Sequence, residues 1–326
     1  MKFLVSLGIP DRHFKDRSEG FRYSGAVLQL IDWDKKIVTK QTDYVSPKPN
    51  LGEGLSMMFK GAQLLDRYLY VVTNTELLQY DIDEFCLLSV LTHTSFNDLH
   101  AVLVNRTGTY ICNTGLEIVQ RFDAAQEPVD EWNLAGAPTW HRFDPGVDYR
   151  TVATTKPHDA HINHLFELGD ELWVNLGSRR RAQSLANADH VIDMDSYFGE
   201  DEKVLCHDGL VRDDVVYFTS VNGSILVADS ASHKVRERID FSSCENGDRK
   251  IGWTRGIEIV GGKAYVGVTK MRHSKFREYT RWMLTGQQRS MPSSILEVDL
   301  TTRKVTDVYE MEGFQGCAIY SIIKVD

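Results

Sequence analysis

A unit of two apolar strands joined by a tight polar turn, a third strand ending in Asp and a fourth rich in β-branched residues recurs along this chain. The clearest copies run from Lys60 to Val90, with Leu64 to Val72 followed by Leu77 to Asp81, and from His207 to Ile239, with Val215 to Thr219 followed by Ile225 to Asp229. Aligning the copies on the second strand stacks the aromatics Tyr70, Tyr110, Trp173, Tyr217 and Tyr265, and a polar residue stands 10 positions before each: Lys60, His100, Asn163, His207 and Arg255. The third-strand aspartates follow as Asp81, Asp123, Asp193, Asp229 and Asp299. A sixth copy is split between the ends. Phe314 to Ile319 mimics Thr254 to Ile259, while Met1 to Leu7, Ala26 to Asp32 and Lys36 to Thr42 supply the remaining strands.

Collinear, evenly spaced copies point to an all-β chain folded as a six-bladed β-propeller, with the last strand completing the first blade and so removing two sheet edges. A β-sandwich would leave the spacing unexplained, and a seventh blade is the nearest competing count. The expected organisation is one domain over 1–326, with blades near 314–326 plus 1–44, 60–93, 98–134, 159–205, 206–241 and 254–310.

Composition sets the class. At 326 residues, 42% hydrophobic and 25% charged, the chain can bury one large β core. The apolar run at Met1–Pro10 is too short for a signal sequence, and nothing later approaches the roughly 18 apolar residues of a membrane helix. A cytoplasmic location and no membrane partner are therefore expected. The 5 cysteines are odd in number and contain no C-x-x-C pair, which suggests neither a disulfide framework nor a zinc knuckle. The net charge of −9 argues against generic nucleic-acid binding.

Propeller topology sorts the connections. The long segments Gly8 to Ser24, Gly177 to Asn187 and Lys270 to Ser293 fall between second and third strands, and Val45 to Phe59, Ala135 to Pro157 and Ser242 to Trp253 between blades. All map to the face where the innermost strands begin, as expected when loops on a rigid scaffold carry function. On that face Lys60, His100, Asn163, His207, Arg255 and Gln315 should ring the central channel. The alternative is a ring of polar residues that only hydrates the channel.

The ring suggests acid–base chemistry on an anion. Lys60 and Arg255 would hold a carboxylate, phosphate or sulfate, Asn163 and Gln315 would orient it, and His100, His207 or His161 would move a proton. His158 and His161 enter with the segment Lys156 to His164. Basic loops add Arg180 and Arg272 as candidate substrate contacts, and Trp253 as an aromatic one. A lyase, cyclase or hydrolase acting on a small anionic metabolite is the resulting expectation, with no cofactor required. A non-catalytic propeller gripping an acidic peptide or partner protein is the alternative. A third is a metalloenzyme with His100, His158, His161 and His207 as ligands, which the cations Lys60 and Arg255 oppose. Cations interleaved with Trp140, Phe143 and Trp253 also match single-strand stacking surfaces, but the acidic charge sets nucleic acid aside.

The C-terminal third, Arg255-Gly256-Ile257-Glu258-Ile259, Ala264 to Arg272 and Ile295 to Leu300, resembles repeats of a bacterial family of uncharacterised propeller-like proteins, a domain of unknown function. His161-Ile162-Asn163 and His207-Asp208-Gly209 are similar to its repeats too. The resemblance implies the propeller and names no reaction.

Overall fold

In the computed structural model, which describes residues 1–11, 22–199, 202, 204–241, 251–270, 291–314 and 316–325, the fold is all-β. The first blade holds β1 (Lys2–Pro10), β2 (Tyr23–Asp32) and β3 (Ile37–Tyr44). The second holds β4 (Ala62–Leu65), β5 (Tyr68–Val72), β6 (Leu77–Asp81) and β7 (Cys86–Leu91), and the third β8 (Leu99–Asn105), β9 (Gly108–Asn113), β10 (Ile118–Phe122) and β11 (Pro128–Asn133). The fourth comprises β12 (Ile162–Leu168), β13 (Glu171–Leu176), β14 (Arg181–Ser184) and β15 (Val191–Asp193), and the fifth β16 (Cys206–Arg212), β17 (Val215–Ser220), β18 (Ser224–Asp229) and β19 (Lys234–Asp240). The sixth comprises β20 (Trp253–Val260), β21 (Lys263–Thr269), β22 (Ser294–Asp299) and β23 (Lys304–Glu310).

The C-terminal β24 (Ala318–Val325) pairs antiparallel with β1 and becomes the innermost strand of the first blade. Each blade is an antiparallel meander. A single parallel bridge, Asp193 to Lys234, joins the outer edges of the fourth and fifth blades. The terminal closure read from the sequence is thus the one that forms.

The recurring aspartates have a local cause. Asp32, Asp81, Asp229 and Asp299 end third strands, and their Oδ1 atoms accept backbone N–H bonds from the following turn, at 3.1 Å from Lys35, 2.9 Å from Asp83, 2.7 Å from Ser232 and 3.0 Å from Thr301. These are Asx-type turns that fix the hairpin to the fourth strand. Asp193 departs from this pattern: it ends β15, a fourth strand. The segment Gly177 to Asn187, expected as loop, contains β14. Arg181-Ala182-Gln183-Ser184 offers only Ala182 as an apolar residue, so its polarity reads as loop, yet Ala182 is buried and the strand pairs with β13.

Blades pack face to face through rings such as Phe3 on Tyr265, with centroids 4.6 Å apart, and Phe166 on Phe218, 5.9 Å apart. Both faces of a middle strand are then apolar, which is why alternation is weak in the sequence. Around the axis, neighbouring inner strands are tied directly. Ala62 N–H donates to Ser321 Oγ, Gly61 N–H to the His100 carbonyl, Asn163 Nδ2 to the Cys206 carbonyl, and Lys324 N–H to Glu258 Oε2. The inner strands lie too close for side chains at two places. A Cβ on Gly61 would meet the His100 carbonyl oxygen at 2.4 Å, and Gly256, at φ +73, would meet the Tyr320 carbonyl oxygen at 2.9 Å.

Candidate functional site

The inner strands of blades three to six each carry a register shift near the ring position, between Leu99 and Ala101, Ile162 and His164, His207 and Leu210, and Arg255 and Ile257. A bulge lifts the intervening residue off the ladder, which re-aims His100 and Asn163; in blades five and six it lifts Asp208, Gly209 and Gly256 while His207 and Arg255 stay paired. Positive φ at Asp98 (+51), His161 (+49), Asp208 (+62) and Gly256 (+73) accompanies the bulges. His, Asp and Gly are the residue types that tolerate this conformation best.

The result is a run of neighbouring side chains about the axis, referred to below as the circuit. His100 and His161 meet edge to face with ring centroids 5.0 Å apart, and His161 and His207 at 6.2 Å. The Arg255 guanidinium lies 4.8 Å from the centre of the Tyr320 ring, which in turn stands 6.3 Å from His100. His158 stacks against His161 with Nδ1 atoms 3.5 Å apart. His100, His158, His161, His207 and Arg255 are therefore brought together as expected. Tyr320 was missed, because the sixth repeat aligns its ring position on Gln315, which lies outside the described residues, as does Arg272.

Lys60, expected as an anion contact, is already paired with a carboxylate. Its side chain is wholly buried, and its Nζ lies 2.5 Å from Asp98 Oδ1. The carboxylate that the ring reading lacked is Asp98, two residues before His100 and off the aligned column. It neutralises Lys60 and leaves Arg255 as a cluster cation with no carboxylate partner among the described residues. Burial alone would raise the Asp98 pKa, but Lys60, followed by His100, holds the carboxyl well below the usual range.

Burial keeps the imidazoles neutral. It pushes His161 down to about 4 against the opposing pull of Asp98, and it pushes His100 and His207 well below the ordinary value, with Lys60 assisting at His100 and Arg255 at His207. His100 Nδ1 lies 2.8 Å from the Asp98 carbonyl oxygen, a contact that fixes its tautomer with the proton on Nδ1 and leaves Nε2 as acceptor. Around the same axis three buried polar atoms have no hydrogen-bond partner among the described residues: Asn163 Oδ1, His207 Nε2 and Arg255 Nε.

Glu117 sets the histidine turn. Fully buried, it accepts from the backbone N–H of Ala160 at 2.5 Å and of His161 at 3.2 Å, while Arg142 donates to its other oxygen at 2.7 Å. Arg142 also donates to the Thr155 and Pro157 carbonyls, so one ion pair clamps both ends of the segment that carries His158 and His161. Asp208 does not orient His207. It accepts instead from Thr219 Oγ1 at 2.5 Å and Gly256 N–H at 3.0 Å.

The outlying candidates do not join the cluster. Arg180 pairs with Asp195 at 2.5 Å and donates to the Glu202 carbonyl. Trp253 opens β20 two residues before Arg255 and, among the described residues, enters none of the cluster's ring contacts. Among the described residues no group of three or more His, Cys, Asp or Glu converges in a way that could hold a metal ion. The four histidines form a chain of neighbours and do not surround a point.

Two cavities adjoin the circuit. The larger, about 330 Å³, is the channel beyond it, lined by all six inner strands and by His164 and Asp208. The smaller, about 160 Å³, lies on the loop face beside Asp98 and His158.

No family model matches the sequence, and no curated protein matches it. Solved structures do. A Bacteroides caccae protein of unknown function superposes with a TM-score of 0.60 at 9% identity, over 99% of this chain and 99% of that one. A chain of a nidogen–laminin complex superposes with a TM-score of 0.55 at 9% identity, over 99% of this chain and 97% of that one. Likeness at this identity carries the fold alone. This chain is a β-propeller similar throughout its length to a bacterial protein of unknown function.

Proposed function

We propose that the chain binds a small anionic molecule on the propeller axis at the loop face, and that a neutral histidine of the circuit moves a proton on it, in a lyase, cyclase or hydrolase type of reaction. The observation that carries this reading is the Arg255 guanidinium, held over Tyr320 with a buried, unpartnered Nε; Asn163 Oδ1 and His207 Nε2, on other inner strands, are likewise buried and unpartnered among the described residues. Buried polar groups without partners are costly, at roughly 1–3 kcal/mol each, and an anion with its own donor would offset that cost. With Lys60 cancelled by Asp98, Arg255 is the cation of the described circuit left to meet a carboxylate, most freely below about pH 6, where the neighbouring Asp208 is protonated. His100, with Nε2 as acceptor, and His161 are the candidate bases, since burial keeps both neutral near pH 7.

The test is calorimetric titration of acetate, phosphate and sulfate into wild type, Arg255→Ala and His207→Ala. Arg255→Ala should abolish binding. Anion binding that survives Arg255→Ala would overturn the reading. Once a turned-over substrate is found, His100→Ala and His161→Ala separate catalysis from mere recognition: turnover falls by about 100-fold or more if the histidine moves a proton, and only affinity changes if the propeller is a binding scaffold.

A further inference from the structure

We infer that His158 is the proton relay of His161: a proton taken up by His161 Nε2 is handed on from His161 Nδ1 to His158 Nδ1 and leaves through the loop-face cavity that His158 lines. This rests on the acid–base reading above and chooses His161 over His100 as its base. The hydrogen bonds fix the tautomers one after another. Two neighbours of Thr155 Oγ1, the Gly115 carbonyl at 2.6 Å and Asn97 Oδ1 at 3.4 Å, can only accept, so the hydroxyl proton is spent on them. Toward His158 Nε2, 3.1 Å away, Thr155 then only accepts, and that nitrogen carries the ring proton. His158 Nδ1 is left as a lone pair facing His161 Nδ1 at 3.5 Å. The distance is long for a hydrogen bond, but two lone pairs facing each other would repel, and neither Nδ1 has another polar partner among the described residues. His161 therefore carries its proton on Nδ1 and its lone pair on Nε2.

His100 cannot do the same. Its Nδ1 proton points at the Asp98 carbonyl oxygen, which cannot take it over, so a charge formed on His100 stays there. At His161 the charge can move outward. When His161 Nε2 binds a proton, its Nδ1–H bond breaks as a new N–H bond forms at His158 Nδ1. His161 is then neutral again, with its proton on Nε2, and His158 is the imidazolium. The groups that face the two rings favour this direction. Around His158 stand Asp98, Glu117, Lys156 and Arg142; around His161 stand Asp98, Arg255 and Lys156, with the rings of His100 and His207. Glu117 draws positive charge to His158, and Arg255 repels it from His161. The cavity of about 160 Å³ beside His158 has room for the water that takes the Nε2 proton and returns both rings to neutrality.

Nitrogen-15 spectra of the imidazole rings, assigned with single-histidine variants, test the relay. At about pH 7.5 His161 should hold its proton on Nδ1 and His158 on Nε2. As the pH is lowered toward about 4, His158 should become doubly protonated and His161 should switch from Nδ1–H to Nε2–H in the same step, because two protons cannot share the Nδ1 contact. His158→Gln, whose amide oxygen keeps an acceptor at that point, should hold His161 on Nδ1–H and abolish the switch. His158→Phe, which offers no acceptor, should release His161 to a mixture of tautomers. A His161 proton on Nε2 at neutral pH, or a His158 that titrates with no switch at His161, overturns the relay alone. Acetate binding that survives Arg255→Ala overturns the axial reading, and the relay falls with it, since no substrate is then placed to give His161 a proton.

Discussion

Lys60 Nζ sits 2.5 Å from Asp98 Oδ1, with the lysine fully enclosed and the aspartate 29% exposed. The two ends of this pair are therefore unequal. Removing Asp98 leaves an ammonium stranded in the interior, whereas removing Lys60 leaves a carboxylate that water can reach. Asp98→Ala should cost about 3–5 kcal/mol of unfolding free energy and Lys60→Met distinctly less. Urea unfolding at neutral pH decides the order; equal losses would mean that Lys60 finds another partner. Because the folded Asp98 pKa is depressed, its contribution is complete above the unfolded value of about 3.9 and is lost as pH falls through the folded one, so the gap between variant and wild type should close only in strong acid.

The histidines give the opposite slope. His161 and His164 are pushed down to about 4, the latter by burial alone. Below about pH 6.5 the unfolded chain takes up protons that the folded chain refuses, so stability falls from pH 6.5 to about 4 and is level above. Each such group adds at most about 1.4 kcal/mol per pH unit. His164→Gln should make the fall shallower by one proton's worth, read as unfolding free energy across that range. A profile identical to wild type would show that His164 titrates normally in the folded protein.

Much of the architecture was legible because each blade repeats one constraint. An aromatic on the second strand and a polar start on the first recur at fixed spacing, and the Asx-turn aspartates, Asp123 with its bond from Ala125 N–H included, mark five hairpins of the same kind. What was lost lay off that register. Asp98 stands two positions before His100, so the aligned column showed a cationic ring where the molecule has an ion pair. Tyr320 sits within β24, past the segment that mimics the sixth repeat, and only the closing of inner strands around the axis brings it between Arg255 and His100. The strand Arg181–Ser184 carries a single apolar residue, and four residues are too few for alternation to show. The bulges that aim His100 and Asn163 leave no mark in composition at all.

Glu117 is a positioning residue with a readout of its own. Its carboxylate binds the Ala160 and His161 amides and the Arg142 guanidinium in a site closed to water. Hydrogen bonds to a buried charge are worth about 1.5–3 kcal/mol each, so Glu117→Ala should loosen 155–161 before it unfolds the propeller. Hydrogen exchange at Ala160 and His161 should accelerate by about 100-fold or more while β13 and β17 amides stay protected. Uniform acceleration across all blades would instead make Glu117 a general stabiliser with no special hold on the histidine turn.

Asp208 sets a counter-slope in the same acid window as the histidines. Burial raises its carboxyl to about 6, although Thr219, Gly256 N–H and Arg255 all pull the other way. The unfolded chain ionises this group from about pH 3.9, the folded one only near 6, so its effect on stability worsens as pH rises between those values and is constant beyond. Wild type then combines histidine terms that improve with pH and one Asp208 term that declines, so Asp208 offsets about one proton's worth of the histidine slope. Asp208→Asn removes the second alone: between pH 4 and 6 its unfolding free energy should climb more steeply than that of wild type by up to about 1.4 kcal/mol per pH unit. Infrared spectra should show a protonated-carboxyl band in wild type that fades as pH passes about 6 and is missing in the variant. If the two stability profiles run parallel, Asp208 is ionised throughout this range, and its carboxylate competes with an incoming anion for Arg255 in acid as well as at neutral pH.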